Sequence, residues 1–182
     1  MHEEYTYRLF QQAFNEHYEA LCKYAFTLVK DREACEDIVQ ETFLRVWEKK
    51  KELIGTDGLN FYMFRAVRNN CLSYLEQRQK HAVSELRSVD LADAPGETNR
   101  EKESGKDYQT LLNEAIENLP PKCREVFVLS RVSDLSYQQI SDTLDISVKT
   151  VENHMGKALR ILRSFVRSKQ VCLAPLVLLT FY

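Results

Sequence analysis

LSYQQISDTLDISVKTVENHMGKALRILRSF, residues Leu135 to Phe165, decides how the rest of this chain is read. Ser136 followed three places later by Gln139 is a capping box, which predicts a helix starting at Ser136. Tyr137, Ile140 and Leu144 then recur at helical spacing. Asp145-Ile146-Ser147 breaks the pattern, and Ser147 can cap a second helix. In that helix Val151, Met155, Ala158, Leu159 and Leu162 form one apolar stripe, while Lys149, Asn153, Arg160 and Arg167 point the opposite way. A short capped helix followed by one with an aliphatic inner face and an outer face of amide and base suits the DNA major groove. A helical hairpin with a solvated basic face would show the same periodicity, because helix-turn-helix spacing is only moderately specific.

Composition bounds what lies around this stretch. The 182 residues suit one large domain or two small ones, and five Gly and four Pro leave little room for a multi-turn β architecture. An all-α protein is expected. The net charge of -2 excludes a uniformly basic coat, so distribution matters more than the sum. Ile146 to Lys169 holds six basic residues against one acid, and Arg65 to Lys80 four against one, while acids dominate Asp31 to Glu52 and Ser84 to Asp107. Two basic islands in an acidic chain point to two nucleic-acid contacts, with other surfaces kept for protein. Cys22, Cys35, Cys71, Cys123 and Cys172 are odd in number, widely spaced and without a C-x-x-C, and the four histidines make no ligand cluster with them. Buried free thiols in a reducing cytosol are expected, with no metal, no cofactor and no disulfide framework. The polar stretch Met1 to Arg8 is no signal peptide. No constellation of catalytic residues stands out, and neither an enzyme nor a small-molecule substrate is expected.

The remaining segments read as helices around a linker. Phe10, Phe14, Tyr18, Leu21, Cys22, Ala25, Leu28 and Val29 recur at helical spacing and predict one or two scaffold helices. The next helix, about Glu33 to Lys50, buries Cys35, Ile38, Val39, Thr42, Phe43, Val46 and Trp47. Its other face carries Asp37, Gln40, Glu41, Leu44 and Glu48. An apolar Leu44 amid acids fits either a plain solvated face or a protein-binding hot spot, and the residues alone leave both open. Ile54-Gly55-Thr56-Asp57-Gly58 is the clearest loop signal. A helix from about Phe61 to Arg78 follows, with Phe64, Val67 and Cys71 inward, Tyr62, Arg65, Asn69 and Ser73 outward, and Arg68 at the edge. Aromatics, amides and arginines beside a Gly loop can stack on unpaired bases, though an ordinary amphipathic helix explains the pattern as well. Ser84 to Asp107 loses periodicity and carries seven acids against four bases, so it reads as a linker. A short helix around Leu111 to Ile116 stopped by Pro120-Pro121, then Cys123 to Val132 with Val126, Phe127 and Leu129 as core, lead into the opening stretch. The expected layout is a first domain over 1–82, a linker over 83–107, a helix-turn-helix domain over 108–170 and an apolar tail over 171–182. That tail, VCLAPLVLLTFY, is too short to span a bilayer; packing on its own domain is the first expectation, with docking on a partner or insertion at an interface as the alternatives.

Three of these stretches together resemble the extracytoplasmic-function (ECF) sigma factors of bacterial RNA polymerase. DREACEDIVQETFLRVWEKK (Asp31 to Lys50) is similar to the family's polymerase-binding helix. YMFRAVRNNCLSYL (Tyr62 to Leu75) is similar to its promoter-melting helix. LPPKCREVFVLSRVSDLSYQQISDTLDISVKTVENHMGKAL (Leu119 to Leu159) resembles its C-terminal DNA-binding domain. The helix-turn-helix alone would also suit a LuxR-type regulator; the first two motifs would not.

The resemblance implies a sequence-specific initiation factor in the cytoplasm, with core RNA polymerase and promoter DNA as partners and an anti-sigma factor as a further one. It implies that Asp37, Gln40, Glu41 and Leu44 bind the polymerase clamp helices. Gly55, Thr56, Asp57, Asn60, Arg65, Arg68 and Asn69 would contact the minus-ten element, where a loop around Gly55 to Phe61 captures a flipped base and Asn69 contacts it. The few kcal/mol lost on unstacking would be offset in the pocket. Lys149, Thr150, Glu152, Asn153, Lys157 and Arg160 would face the minus-thirty-five element, Asn and Glu reading base edges and Lys neutralising phosphate. The acidic linker would thread toward the RNA exit path, imitating nucleic acid. Ser73 and Glu76 depart from the family's pattern, and Glu76 removes a phosphate contact. The alternative reading is a free-standing helix-turn-helix regulator whose first domain senses a signal; a helical adaptor with no nucleic-acid role is a further one.

Overall fold

The computed structural model of the chain describes residues 2–86 and 108–168, and among them every regular element is helical. Most of the expected linker and the whole expected tail lie outside the described residues. The order is α1 (His2–Val29), α2 (Arg32–Lys49), a 3-10 turn at Lys51–Leu53, α3 (Gly58–Leu86), α4 (Tyr108–Glu117), α5 (Pro121–Arg131), α6 (Tyr137–Leu144) and α7 (Val148–Ser168).

Helices α1 to α3 form a three-helix unit. α1 is a single helix; it ends because Lys30 takes a left-handed backbone (φ +60°), and Asp31 then caps α2 by accepting the Ala34 N–H at 3.2 Å. This two-residue reversal lays α2 antiparallel to α1. An aromatic seam holds the pair: Tyr7 meets Trp47 edge-on at 6.0 Å, and Phe43 lies 5.9 Å from Phe10 and 4.8 Å from Phe14 between ring centres. α3 closes the unit with Met63, Phe64, Val67 and Cys71, all fully buried. Each such side chain contributes roughly 1.5–3 kcal/mol on leaving water. Thr42, buried within α2, donates to the Ile38 carbonyl and accepts from Asn70 of α3, so its hydroxyl is satisfied. α3 starts three residues earlier than the sequence pattern suggests, because the Thr56 carbonyl accepts the Leu59 N–H and begins the winding. It also runs to Leu86, past the expected boundary, since no Gly or Pro interrupts the chain before Pro95.

Helices α4 to α7 form the second unit. Pro121 opens α5 at a position where its missing N–H costs nothing. The neighbouring Arg124 guanidinium donates to the carbonyls of Ile116, Glu117 and Leu119, tying down the end of α4. In the helix-turn-helix, Ser136 and Gln139 exchange both bonds of the capping box. Asp145 turns the chain in the left-handed region (φ +53°), which a short polar side chain tolerates, and Ser141 Oγ donates to the Ile146 carbonyl across the turn. Ser147 accepts the Thr150 N–H and caps α7, whose Val151, Met155, Ala158 and Leu162 are buried as the stripe predicts.

The two units pack directly on each other, which the sequence pattern did not indicate. One hydrophobic cluster runs from Leu21, Tyr24 and Phe64 of the first into Val126, Leu129, Leu135 and Ile140 of the second. Tyr24 falls outside the apolar stripe read from α1, yet it is fully buried, because α5 covers it. Ile140→Ala should cost about 2–5 kcal/mol by cavity formation, and Ser136→Ala about 1 kcal/mol by loss of the cap. Urea titrations followed by circular dichroism check both values.

Candidate polymerase and nucleic-acid interfaces

Rotation of α2 about its axis defines the first surface. With Cys35, Ile38, Val39, Thr42, Phe43 and Val46 turned inward, Asp37, Gln40, Glu41 and Leu44 all stand in solvent, and Leu44 is 60% exposed. Arg45 bonds Glu41 at 2.6 Å one turn on, but both side chains are about half exposed, so a basic partner can displace that pair at small cost. Asp37 and Glu41 also edge a shallow cleft completed by Asp31, Glu33 and Tyr74. The face is therefore acidic with one aliphatic projection, the chemistry of a protein contact with a basic helix.

The second surface centres on the loop before α3. Gly55 has φ +82°, and a Cβ there would lie 2.8 Å from Leu9 Cδ1, so the loop is held tightly against α1. Thr56 Oγ1 donates to the Leu53 carbonyl at 2.8 Å, fixing the turn and leaving Asp57 exposed. Gly55, Thr56, Asp57 and Asn60 line one side of a cavity of about 610 Å³; His17 of α1 and Val132, Ser133 and Asp134 of the α5–α6 connection line other parts of it. Burial pulls the His17 imidazole below its ordinary pKa, with Glu16 opposing the shift, so it enters this cavity neutral near pH 7. Asn60 Nδ2 donates to the Ser133 carbonyl at 2.9 Å, while its buried Oδ1 has no hydrogen-bond partner. Arg65 and Asn69 are exposed elsewhere on α3 and do not line this cavity. Nine residues separate Asn69 from Asn60, about half a turn out of phase around the helix. Arg68 is turned toward the second unit, where its Nε meets Glu125 Oε1 at 3.0 Å.

The third surface is the outer face of α7. Lys149, Glu152, Asn153, Lys157 and Arg160 are exposed, and Thr150 is half-buried against the Ser147 cap. Lys149 and Glu152 pair at 2.9 Å. Arg163, absent from the sequence-derived set, is exposed three residues beyond Arg160 and lengthens the basic stripe. Its signal was the same helical spacing, one turn further along. Glu125, Tyr24 and Ser133 were missed altogether, because nothing local marks a contact between units.

Among the described residues, Cys35 and Cys71 offer no competing chemistry. Burial pushes the Cys35 thiol up to about 11 and the Cys71 thiol up to about 12, which keeps both protonated and unreactive. Among the described residues, no group of His, Cys, Asp and Glu could hold a metal ion, and no helix is long and apolar enough to cross a membrane.

Two packed helical units, the second a helix-turn-helix with a basic outer face, define a class of DNA-binding proteins. Comparison with known proteins narrows it. The sigma-70 region 2 family matches residues 13–81, and the sigma-70 region 4 family matches residues 109–162. ECF RNA polymerase sigma factor SigL of Mycobacterium tuberculosis is 29% identical over 157 residues, covering 85% of this chain and 87% of that protein. The ferric citrate uptake sigma factor FecI of Escherichia coli is 25% identical over 149 residues, covering 82% of this chain and 86% of its own length. Among solved structures, the sigma factor RpoE of Bartonella quintana, in complex with the anti-sigma factor NepR, superposes with a TM-score of 0.64 at 21% identity, covering 87% of this chain and 96% of that one. CnrH in complex with the cytosolic domain of CnrY gives a TM-score of 0.55 at 21% identity, over 87% and 88% of the two chains.

This chain belongs to the ECF sigma factors of RNA polymerase. A free-standing regulator would account for the region 4 match but not for region 2. Gly55→Ala should cost about 1–2 kcal/mol through the left-handed backbone alone. Thermal unfolding measures that loss, and an unchanged midpoint would mean that the loop is held less tightly than described.

Proposed function

We propose that this sigma factor divides its work among the three surfaces. Residues 1–82 bind core polymerase through Asp37, Gln40, Glu41 and Leu44 and open the minus-ten region. There Gly55, Thr56, Asp57 and Asn60 hold an unstacked base, while Arg65, Arg68 and Asn69 follow the strand. Residues 108–170 grip the minus-thirty-five element with Lys149, Thr150, Glu152, Asn153, Lys157 and Arg160, and 83–107 and 171–182 serve as linker and tail. The factor contributes binding groups and no catalysis of its own, and it acts in the cytoplasm. RpoE and CnrH were solved with NepR and CnrY bound, and an anti-sigma partner is proposed for this chain too.

One observation carries the reading. Most of the assigned polar groups face solvent on helices whose opposite stripes are buried, and the bonds they make stay within their own unit, as in Glu41 with Arg45, Thr56 with Leu53 and Lys149 with Glu152. Asn60 and Arg68 are the exceptions. Initiation by purified protein with bacterial core polymerase on fragmented genomic DNA is the direct test; no initiation anywhere would sink the proposal.

Separate substitutions test the division of labour. Asp37→Lys should weaken core binding about tenfold or more by placing like charges opposite each other, while leaving duplex promoter contacts intact. Asn153→Ala should cost about 1–3 kcal/mol in promoter discrimination and leave core binding unchanged. Lys157→Ala should weaken all promoters alike and lower the salt-dependence slope by about one. Binding titrations at several salt concentrations separate these outcomes.

A further inference from the structure

The exceptions share a cause: both groups are engaged by the second unit. Glu125 of α5 reaches across the interface, where its Oε1 accepts from Tyr24 Oη at 3.0 Å and from Arg68 Nε at 3.0 Å. Only 20% of the Arg68 side chain and 15% of Glu125 are exposed, so this is no surface pair screened by solvent. Tyr24 is fully buried; burial first, then the Glu125 carboxylate, holds its phenol well above the ordinary range, so it stays a hydrogen-bond donor. Beside the loop cavity, Asn60 gives its amide hydrogen to the Ser133 carbonyl, and Val132, Ser133 and Asp134 join the cavity lining. The second unit thus occupies two of the groups assigned to minus-ten DNA and borders the cavity assigned to the unstacked base.

We propose that Glu125 is a latch: by holding Tyr24 and Arg68 it keeps the polymerase-free factor closed, with Asn60 and Arg68 withheld from single-stranded DNA until the units separate. The inference rests on the minus-ten assignment proposed above. A glutamate suits the role because one carboxylate can take both a phenol and a guanidinium, and both must be given up together. Opening leaves a charge on each side, and each recovers full hydration only once water reaches it, so partial separation is disfavoured. Binding by a closed factor is weakened by the fraction of molecules that are open.

The test uses the full chain without polymerase. Small-angle scattering reports compactness, and fluorescence anisotropy reports affinity for a labelled pool of random-sequence single-stranded DNA. Wild type should be compact and bind weakly. Glu125→Gln, which removes the charge but not the size, should raise the radius of gyration and tighten DNA binding about tenfold, with helix content unchanged. Tyr24→Phe, which deletes one hydroxyl, should move both readings the same way by less and decides the matter if the first variant does not fold. An extended wild type, or variants as compact as wild type, overturns the latch. Expansion without tighter DNA binding also overturns it. Adding Arg68→Ala to Glu125→Gln then locates the fault. If that addition leaves DNA affinity unchanged, the minus-ten assignment has failed; if it lowers affinity, the assignment stands and the latch alone is wrong.

Discussion

Phe43 sets the orientation on which the first unit depends. Three rings of α1 surround it, those of Phe10, Phe14 and Tyr18, and their shapes admit α2 in one rotation. With that rotation fixed, the helical period decides everything else on α2. Thr42 and Val46 fall inward beside Phe43, and Asp37, Gln40, Glu41 and Leu44 are left exposed. A slip of one residue would bring Leu44 inward together with Glu36 and Gln40, whose polar groups would then have to be stripped of water. The acidic face is thus a by-product of where the rings go.

The second unit separates holding from reading in a similar way. Its turn is built by residues that spend their hydrogen bonds locally: Ser136 and Gln139 at the start of α6, Ser141 across the turn, Ser147 at the start of α7. The outward groups of α7 have little or none of that work. Thr150 is the one residue that does both, since its N–H belongs to the cap and its hydroxyl shares a bond with Ser147 Oγ.

Legibility in the sequence followed the range of each interaction. The capping box, the α7 stripe and the buried face of α2 were all readable, because each depends on residues within a few turns of one another. The exposed placement of Asp37, Leu44, Lys149 and Asn153 followed from those stripes. What was hidden lies between the units. Tyr24 lies outside the apolar stripe read along α1, and Glu125 stands between Arg124 and Val126; neither has a local partner that would betray its role. Asn60 was assigned to minus-ten DNA through the family resemblance, and its bond to the Ser133 carbonyl spans more than seventy positions of chain. Distance in sequence made these contacts unreadable, since no periodicity connects residues on separate helices.

Arg124 and Glu125 are neighbours on α5 with opposite errands. The first clamps the end of α4 by three carbonyls, and the second reaches out to the other unit. A clamp of that kind makes α4 and α5 turn together as an elbow. Through that clamp the end of α4 and the interface residue Glu125 are tied to neighbouring positions of one helix.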